Sequence, residues 1–287
     1  MTAAPTIHAV PQHILLATDL GARCDRAMDR AAQLADEWNA GLTALNVFDP
    51  SALPDQVLAW ASGAGEDKLL DMARRQLASD LKSVQVDAQL RVDRGGDTAE
   101  AIQRAAAETQ SGLVVTGVSR NETLGQFLLG STVETLARSL VQPLLVVHNR
   151  VHEPYRKIVV ATDFSEPSRR ALETAARYFP SRDLIVYHAQ VPMLTGSTDA
   201  GTSTDSAEAE CARFLSATTL PAGAKHRTLV ESGNVEVTLP HFVRKHEIDL
   251  VVIGNIGRSG IMSLLLGSTA AKLLDWLPCD TLLVPNR

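Results

Sequence analysis

The sequence predicts an α/β protein made of two tandem, doubly wound domains. Three observations carry that prediction. The chain has 287 residues, and at about 100–200 residues per domain this length points to two domains. Two segments recur at nearly constant spacing. His13-Ile14-Leu15-Leu16-Ala17-Thr18-Asp19 returns as Lys157-Ile158-Val159-Val160-Ala161-Thr162-Asp163, an offset of 144 (163 − 19). Phe127-Leu128-Leu129-Gly130-Ser131-Thr132 returns as Leu264-Leu265-Leu266-Gly267-Ser268-Thr269, an offset of 137 (267 − 130). Within each copy, short apolar runs alternate with amphipathic stretches. That alternation calls for a parallel sheet covered on both faces, because parallel crossovers are long and right-handed. The copies meet in a short polar segment containing Pro154, giving domains 1–150 and 151–287.

The elements follow in order. The apolar run 14–17 reads as a strand, and after it Ala27, Ala31, Leu34, Ala35 and Trp38 recur at helical spacing. Next come a strand at 42–48 and a helix over 66–81, with Leu69, Met72, Ala73, Leu77 and Leu81 on one face. The first copy ends with strand 86–92, a helix after Gly95-Gly96-Asp97, strand 113–117, a helix from Ser131 and strand 144–147. In the second copy the strands are expected at 158–161, 184–189, 225–230, 250–254 and 282–284. Its helices are expected at 171–178, 208–218, 235–246 and 268–277. Residues 192–206, rich in Thr, Ser, Gly and Asp, read as a loop. Their counterpart at 49–65 holds Leu53, Val57, Leu58 and Trp60 and is expected to be ordered.

Composition removes several function classes. With 45% hydrophobic and 21% charged residues, most of the chain has enough apolar material to fold. A net charge of −6 and only 4% aromatic residues provide neither a basic groove nor a base-stacking platform, so nucleic acid is not an expected partner. No run reaches the ~18–20 apolar residues of a membrane span. The opening MTAAPTIHAVPQ lacks the order of a signal peptide. The expectation is a cytoplasmic protein without a membrane partner. Cys24, Cys211 and Cys279 form no CxxC and read as reduced thiols, Cys279 as a small core residue and Cys24 as an inert one. The histidines lack ligand spacing and read as surface residues, so no metal site is expected. No GxSxG elbow is present, and no catalytic residue is nominated.

The chemistry lies in Gly254-Asn255-Ile256-Gly257, followed after nine residues by Gly267-Ser268-Thr269. This loop leaves the apolar run Leu250-Val251-Val252-Ile253 and opens the last helix. A strand that delivers a glycine-rich loop to a helix N-terminus is suited to phosphate: glycines permit positive φ and close approach, and free amides with the helix dipole face the anion. Ser268 can donate a hydroxyl and cap the helix.

The pattern G-x2-G-x9-G-[S/T], the run Leu264-Leu265-Leu266-Gly267-Ser268 and the strand ending at Asp163 resemble the universal stress protein family over nearly the whole chain. The resemblance implies a five-stranded parallel sheet ordered 3-2-1-4-5 in each domain, with helices on both faces. It also implies ATP, alone or with Mg²⁺, bound where the first and fourth strands diverge, a topological switch point. Asp163 would face the adenosine and the backbone at Ala189 the adenine. Gly254, Gly257, Gly267 and Ser268 would hold ribose and phosphates, with Thr269 adding an amide. Asp163 also reads as a turn or helix-cap carboxylate before Ser165-Glu166-Pro167, and the two readings are compatible.

The first copy departs at one position. Aligned on Gly130-Ser131, its loop reads Gly117-Val118-Ser119-Arg120, so Arg120 replaces the second glycine. A Cβ in a left-handed position costs ~1–2 kcal/mol, and Glu122 adds negative charge. Arg120 could clamp a phosphate, but Glu122 can pair with it locally. Weak or absent ATP binding is expected here, with Asp19, Val47, Gly130 and Ser131 as remnants of the site or a place for another ligand.

The leading functional expectation is a stress-response protein acting through nucleotide-dependent conformation or an unidentified protein partner. A slow ATPase or phosphotransferase is one alternative, though no Walker lysine accompanies the loop. A nucleotide-independent scaffold for a small apolar ligand is the other. In single-domain members of the family the last strands commonly pair between subunits. Here 144–147 and 282–284 could pair within the chain, as an intramolecular pseudo-dimer, alone or as a homodimer of four domains.

Overall fold

In the computed structural model, ten strands form a single sheet in the order β10-β9-β8-β11-β12-β7-β4-β1-β2-β3. The structure describes residues 10–19, 24–48, 71–72, 74–76, 78–79, 88–94, 96–118, 122–123, 126–127, 130–191, 200–255 and 266–286. The N-terminal half contains β1 (His13–Thr18), α1 (Cys24–Trp38), β2 (Gly41–Phe48), β3 (Ala88–Arg94), α2 (Thr98–Glu108) and β4 (Leu113–Gly117). A small antiparallel hairpin comes next, β5 (Glu122–Thr123) with β6 (Gln126–Phe127), then α3 (Ser131–Ser139) and β7 (Leu144–Val147). The C-terminal half contains β8 (Ile158–Ala161), α4 (Glu166–Tyr178), β9 (Asp183–Gln190), α5 (Ala200–Ser216) and β10 (Lys225–Ser232). It ends with α6 (Val235–His246), β11 (Leu250–Gly254), α7 (Ser268–Trp276) and β12 (Asp280–Val284).

Within each half the large sheet has the order 3-2-1-4-5, and every described pairing of those five strands is parallel. The fold class expected from the sequence is therefore the one observed. The halves join where the fifth strands pair antiparallel, with Leu283 opposite Leu144, Leu282 opposite Leu145 and Thr281 opposite Val146.

Alternation along each strand explains why the strands read as unbroken apolar runs. Ile14 and Leu16 enter one core with Ala31, Leu34 and Trp38 of α1, while Leu15 and Ala17 enter the other with Ile102 of α2 and Leu136 of α3. Helices cover both faces, so both side-chain sets are buried. Cys211 and Cys279 lie in these cores as small apolar residues.

The structure differs from the sequence expectation in one connection. Residues 200–206, expected as loop, form the first turns of α5. Buried Ala207, Cys211 and Phe214 hold the rest of that helix, and adding turns to an existing helix is far cheaper than nucleating one. Of the helix expected over 66–81, residues 71–72, 74–76 and 78–79 are described and are helical, whereas 49–65 and 192–199 lie outside the described residues.

The two halves share a buried polar cluster. The Asp280 carboxylate accepts hydrogen bonds from the amides of His148 (2.8 Å) and Asn149 (3.0 Å) and from the Tyr155 hydroxyl (2.6 Å). Arg30 Nε lies 3.4 Å from it, and the Arg30 guanidinium sits 3.9 Å above the Tyr155 ring. Burial pushes the Asp280 pKa up, while Tyr155, Arg30 and the two amides pull it down. Beside this cluster, Trp38 packs edge-on against Tyr178 at 5.4 Å, and the Tyr178 hydroxyl donates to the Gly112 carbonyl at 2.7 Å.

Candidate functional site

β8 lies between β9 and β11, so the crossovers on its two sides depart in opposite directions and open a crevice at its C-terminal end. The turn that leaves β8 is tightly tied. Phe164 has φ +64°, and its amide donates to Thr162 Oγ1 at 3.0 Å. Ser168 Oγ donates to the Ser165 carbonyl (2.9 Å), so it accepts from Thr162 Oγ1 across 2.9 Å. Ser165 is the N-cap of α4, and Pro167 sits in the first turn, where its missing N–H costs nothing. Asp163 Oδ1 accepts from both the amide and the hydroxyl of Ser165. The turn reading of Asp163 is thus observed. Its Oδ2 has no hydrogen bond among the described residues, and Asp163 lines the crevice.

On the opposite wall, β11 ends at Gly254, whose missing Cβ lets Pro167 approach. The Asn255 amide donates to the Val284 carbonyl (2.9 Å), and its carbonyl accepts from Gly267 N (3.1 Å), which closes the loop at the start of α7. Its side-chain amide crosses into the N-terminal half and donates to the Ala137 carbonyl of α3 at 2.5 Å. One sequence expectation is corrected here: Gly267, not Ser268, is the N-cap of α7, and among the described residues no side chain caps the helix. The Gly267 carbonyl accepts the first intrahelical bond, from Ala271 N. The amides of Ser268, Thr269 and Ala270 therefore have no partner within the helix and sit at its positive end.

These walls enclose a cavity of about 450 Å³. Asp163, Ala189, Gly254, Gly267, Ser268 and Thr269 all line it, together with apolar Val235, Ile253 and Leu273. Gly257 lies outside the described residues. Sequence reasoning missed one residue that lines the cavity, His188, and one that braces its wall, Asn255. Asn255 was visible only as a spacer between the motif glycines. His188 was grouped with the surface histidines, yet it lines the cavity, donates from Nδ1 to the Thr162 carbonyl at 2.8 Å and stacks on Phe164 at 4.2 Å.

The N-terminal half keeps the tether without the imidazole. Asn46 Nδ2 donates to the Thr18 carbonyl at 2.9 Å, the same bond that His188 makes to Thr162. Gly130 caps α3 as Gly267 caps α7. Arg120 and the Glu122 side chain, expected to spoil this site, lie outside the described residues. The β5–β6 hairpin comes after that loop, and β6 runs alongside α7 of the other half. Among the described residues, no group of three or more His, Cys, Asp or Glu is placed to hold a metal ion. No helix among them is long and apolar enough to cross a membrane.

The sequence profile described as the universal stress protein family matches residues 11–148 and again 154–285. The chain belongs to the universal stress protein family. A universal stress protein of Mycolicibacterium smegmatis is 27% identical over 293 aligned positions, covering 96% of this chain and 97% of that protein. Universal stress protein E of Escherichia coli is 37% identical over 60 residues, a match spanning 21% of this chain and only 19% of that relative's length. Among solved structures, a functionally unknown protein of Pseudomonas aeruginosa PAO1 matches with a TM-score of 0.66 at 20% identity, over 97% of this chain and 94% of that one. A universal stress protein of Archaeoglobus fulgidus matches with a TM-score of 0.63 at 17% identity, over 95% and 96%. Identity this low shows a shared fold. Both matches span the full tandem arrangement.

Proposed function

We propose that the C-terminal cleft of this universal stress protein binds ATP, alone or with Mg²⁺. The protein then acts in stress response through nucleotide-dependent conformation or a protein partner. One observation carries the reading: six residues picked from the sequence for nucleotide chemistry line one cavity at the switch point. Its ~450 Å³ lies in the range of ligand sites. Each part of the ligand has a match. The first-turn amides of α7, without partners inside the helix, and its dipole suit phosphates, Asp163 Oδ2 suits a ribose hydroxyl, and Val235, Ile253 and Leu273 suit a base.

Calorimetry and native mass spectrometry test this directly, with an expected stoichiometry of one ATP per chain. Gly257→Arg, which copies Arg120 of the first repeat, is expected to remove binding. Two equivalents of ATP, or undiminished affinity in that variant, would overturn the one-site reading. ATP should also slow hydrogen exchange in the first turn of α7 and raise the melting temperature with concentration, because it binds only the folded chain.

A further inference from the structure

His188 has one ring nitrogen committed and one unused. Nδ1 lies 2.8 Å from the Thr162 carbonyl oxygen. A carbonyl only accepts, so Nδ1 carries the proton of this bond, and in the uncharged form of the ring Nε2 is an acceptor. Nε2 has no protein hydrogen-bond partner among the described residues, and His188 is one of the residues that line the cavity. Its plane is fixed by stacking on Phe164, with centroids 4.2 Å apart and planes 30° apart. Phe164 is itself held by its bond to Thr162 and by packing at 5.7 Å against Phe214.

Comparison of the repeats separates two roles in this side chain. Holding the carbonyl at the end of the first strand needs only a short donor, since Asn46 does it at 2.9 Å in the N-terminal half. The imidazole satisfies the same tether and carries a further polar atom beyond the reach of asparagine, in the half whose glycine loop is complete. Asp163, which lines the same cavity, has in Oδ2 a second acceptor without a hydrogen bond among the described residues. Two open acceptors favour a ligand portion that brings hydrogen-bond donors.

We infer that His188 contacts the ligand directly, its Nε2 accepting a hydrogen bond from the nucleoside, either from the base amino group or from a ribose hydroxyl. This inference rests on the ATP reading and adds the residue that selects among nucleosides. The test is calorimetric titration of the wild type, His188→Asn and His188→Phe with ATP, ITP and 2′- and 3′-deoxy-ATP, with folding checked by thermal melting. Asparagine keeps the tether to Thr162 and withdraws the acceptor, while phenylalanine keeps the stacked face and loses both polar atoms.

Both variants are expected to bind ATP about three- to tenfold more weakly, the worth of one hydrogen bond. If the donor is the base amino group, ITP binding is weak in the wild type and the variants weaken it no further. If the donor is a hydroxyl, ITP weakens as ATP does, and one of the deoxy nucleotides becomes insensitive to the substitution. ATP affinity unchanged in His188→Asn and lost only in His188→Phe would make the ring a tether and overturn the inference. So would equal losses for all four nucleotides. A wild-type chain that binds no adenine nucleotide would overturn the ATP reading itself, and this inference with it.

Discussion

Gly254 has no room for a side chain, because a Cβ there would lie 2.7 Å from the carbonyl carbon and oxygen of Pro167. From the sequence this glycine read as making space for a ligand. The structure gives it a packing duty, since it lets the first turn of α4 close on β11 and so sets the distance between Asp163 and the α7 amides. Gly254→Ala is expected to cost ~1–3 kcal/mol through overpacking, read as a lower melting temperature. His148 was equally hard to read, since one histidine in a polar linker looks like a surface residue, yet it is 1% exposed. Burial, and then the charge of Arg26, lowers its pKa from 6.5 to about 4. Between those values the unfolded chain binds the extra proton, so this group removes stability as pH falls from 6.5 towards 4, by up to ~3 kcal/mol. Asp280, with its pKa raised, acts in the opposite sense above its ordinary value. The stability difference between pH 7 and pH 4.5 is therefore expected to shrink in His148→Gln relative to the wild type. Chemical denaturation at the two pH values checks it, and an unchanged difference would mean that His148 is already protonated in the folded chain.

At the scale of elements, strands were the most legible feature, because a strand buried on both faces is an apolar run whatever its neighbours are. Helix ends were less so. The first turns of α5 carry Ser, Thr and Gly, and they are helical because Ala207, Cys211 and Phe214 anchor the remaining turns. Contacts between elements of different halves were not legible, since spacing carries no signal for residues 118 apart, such as Asn255 and Ala137. That bond has a clear physical role. α3 ends at Ser139 with Leu140 as its C-cap, so the Ala137 carbonyl belongs to the unsatisfied last turn, and the Asn255 amide supplies its donor. Asn255 Oδ1 is buried and has no hydrogen-bond partner among the described residues, so among them the side chain acts through its donor. Asn255→Asp replaces that donor with a negative oxygen at the negative end of a helix. It is expected to destabilise the chain by more than Asn255→Ala, which only leaves the carbonyl unpaired at ~1–3 kcal/mol. Equal melting temperatures for the two variants would mean the bond is not maintained in solution.

At the scale of the whole molecule, the repeat made the two halves legible, while the cluster that fastens them depends on residues with no counterpart across the duplication. Asp280 aligns with Pro143 at the offset of 137 (280 − 143), and Arg30 aligns with Thr174 at 144 (174 − 30). These residues close an interface that also buries Trp38 and Tyr178 and pairs the fully buried strands β7 and β12. Unfolding one half alone would expose the inner edge of the other half's fifth strand and leave Asp280 or Arg30 without its partner. Removing one member of a buried ion pair costs ~3–5 kcal/mol, whereas replacing the whole pair with apolar groups can be nearly neutral. The wild type is therefore expected to melt in a single calorimetric transition. Arg30→Met should shift that transition down as a unit, since the Asp280 carboxylate keeps its three neutral donors but loses its cation. Adding Asp280→Asn should recover part of the loss, because it removes the unpaired charge while the amide oxygen still accepts from the His148 and Asn149 amides. Two resolved transitions in the wild type, with Arg30→Met moving only one, would mean that the halves fold independently and that the continuous ten-stranded sheet does not couple them.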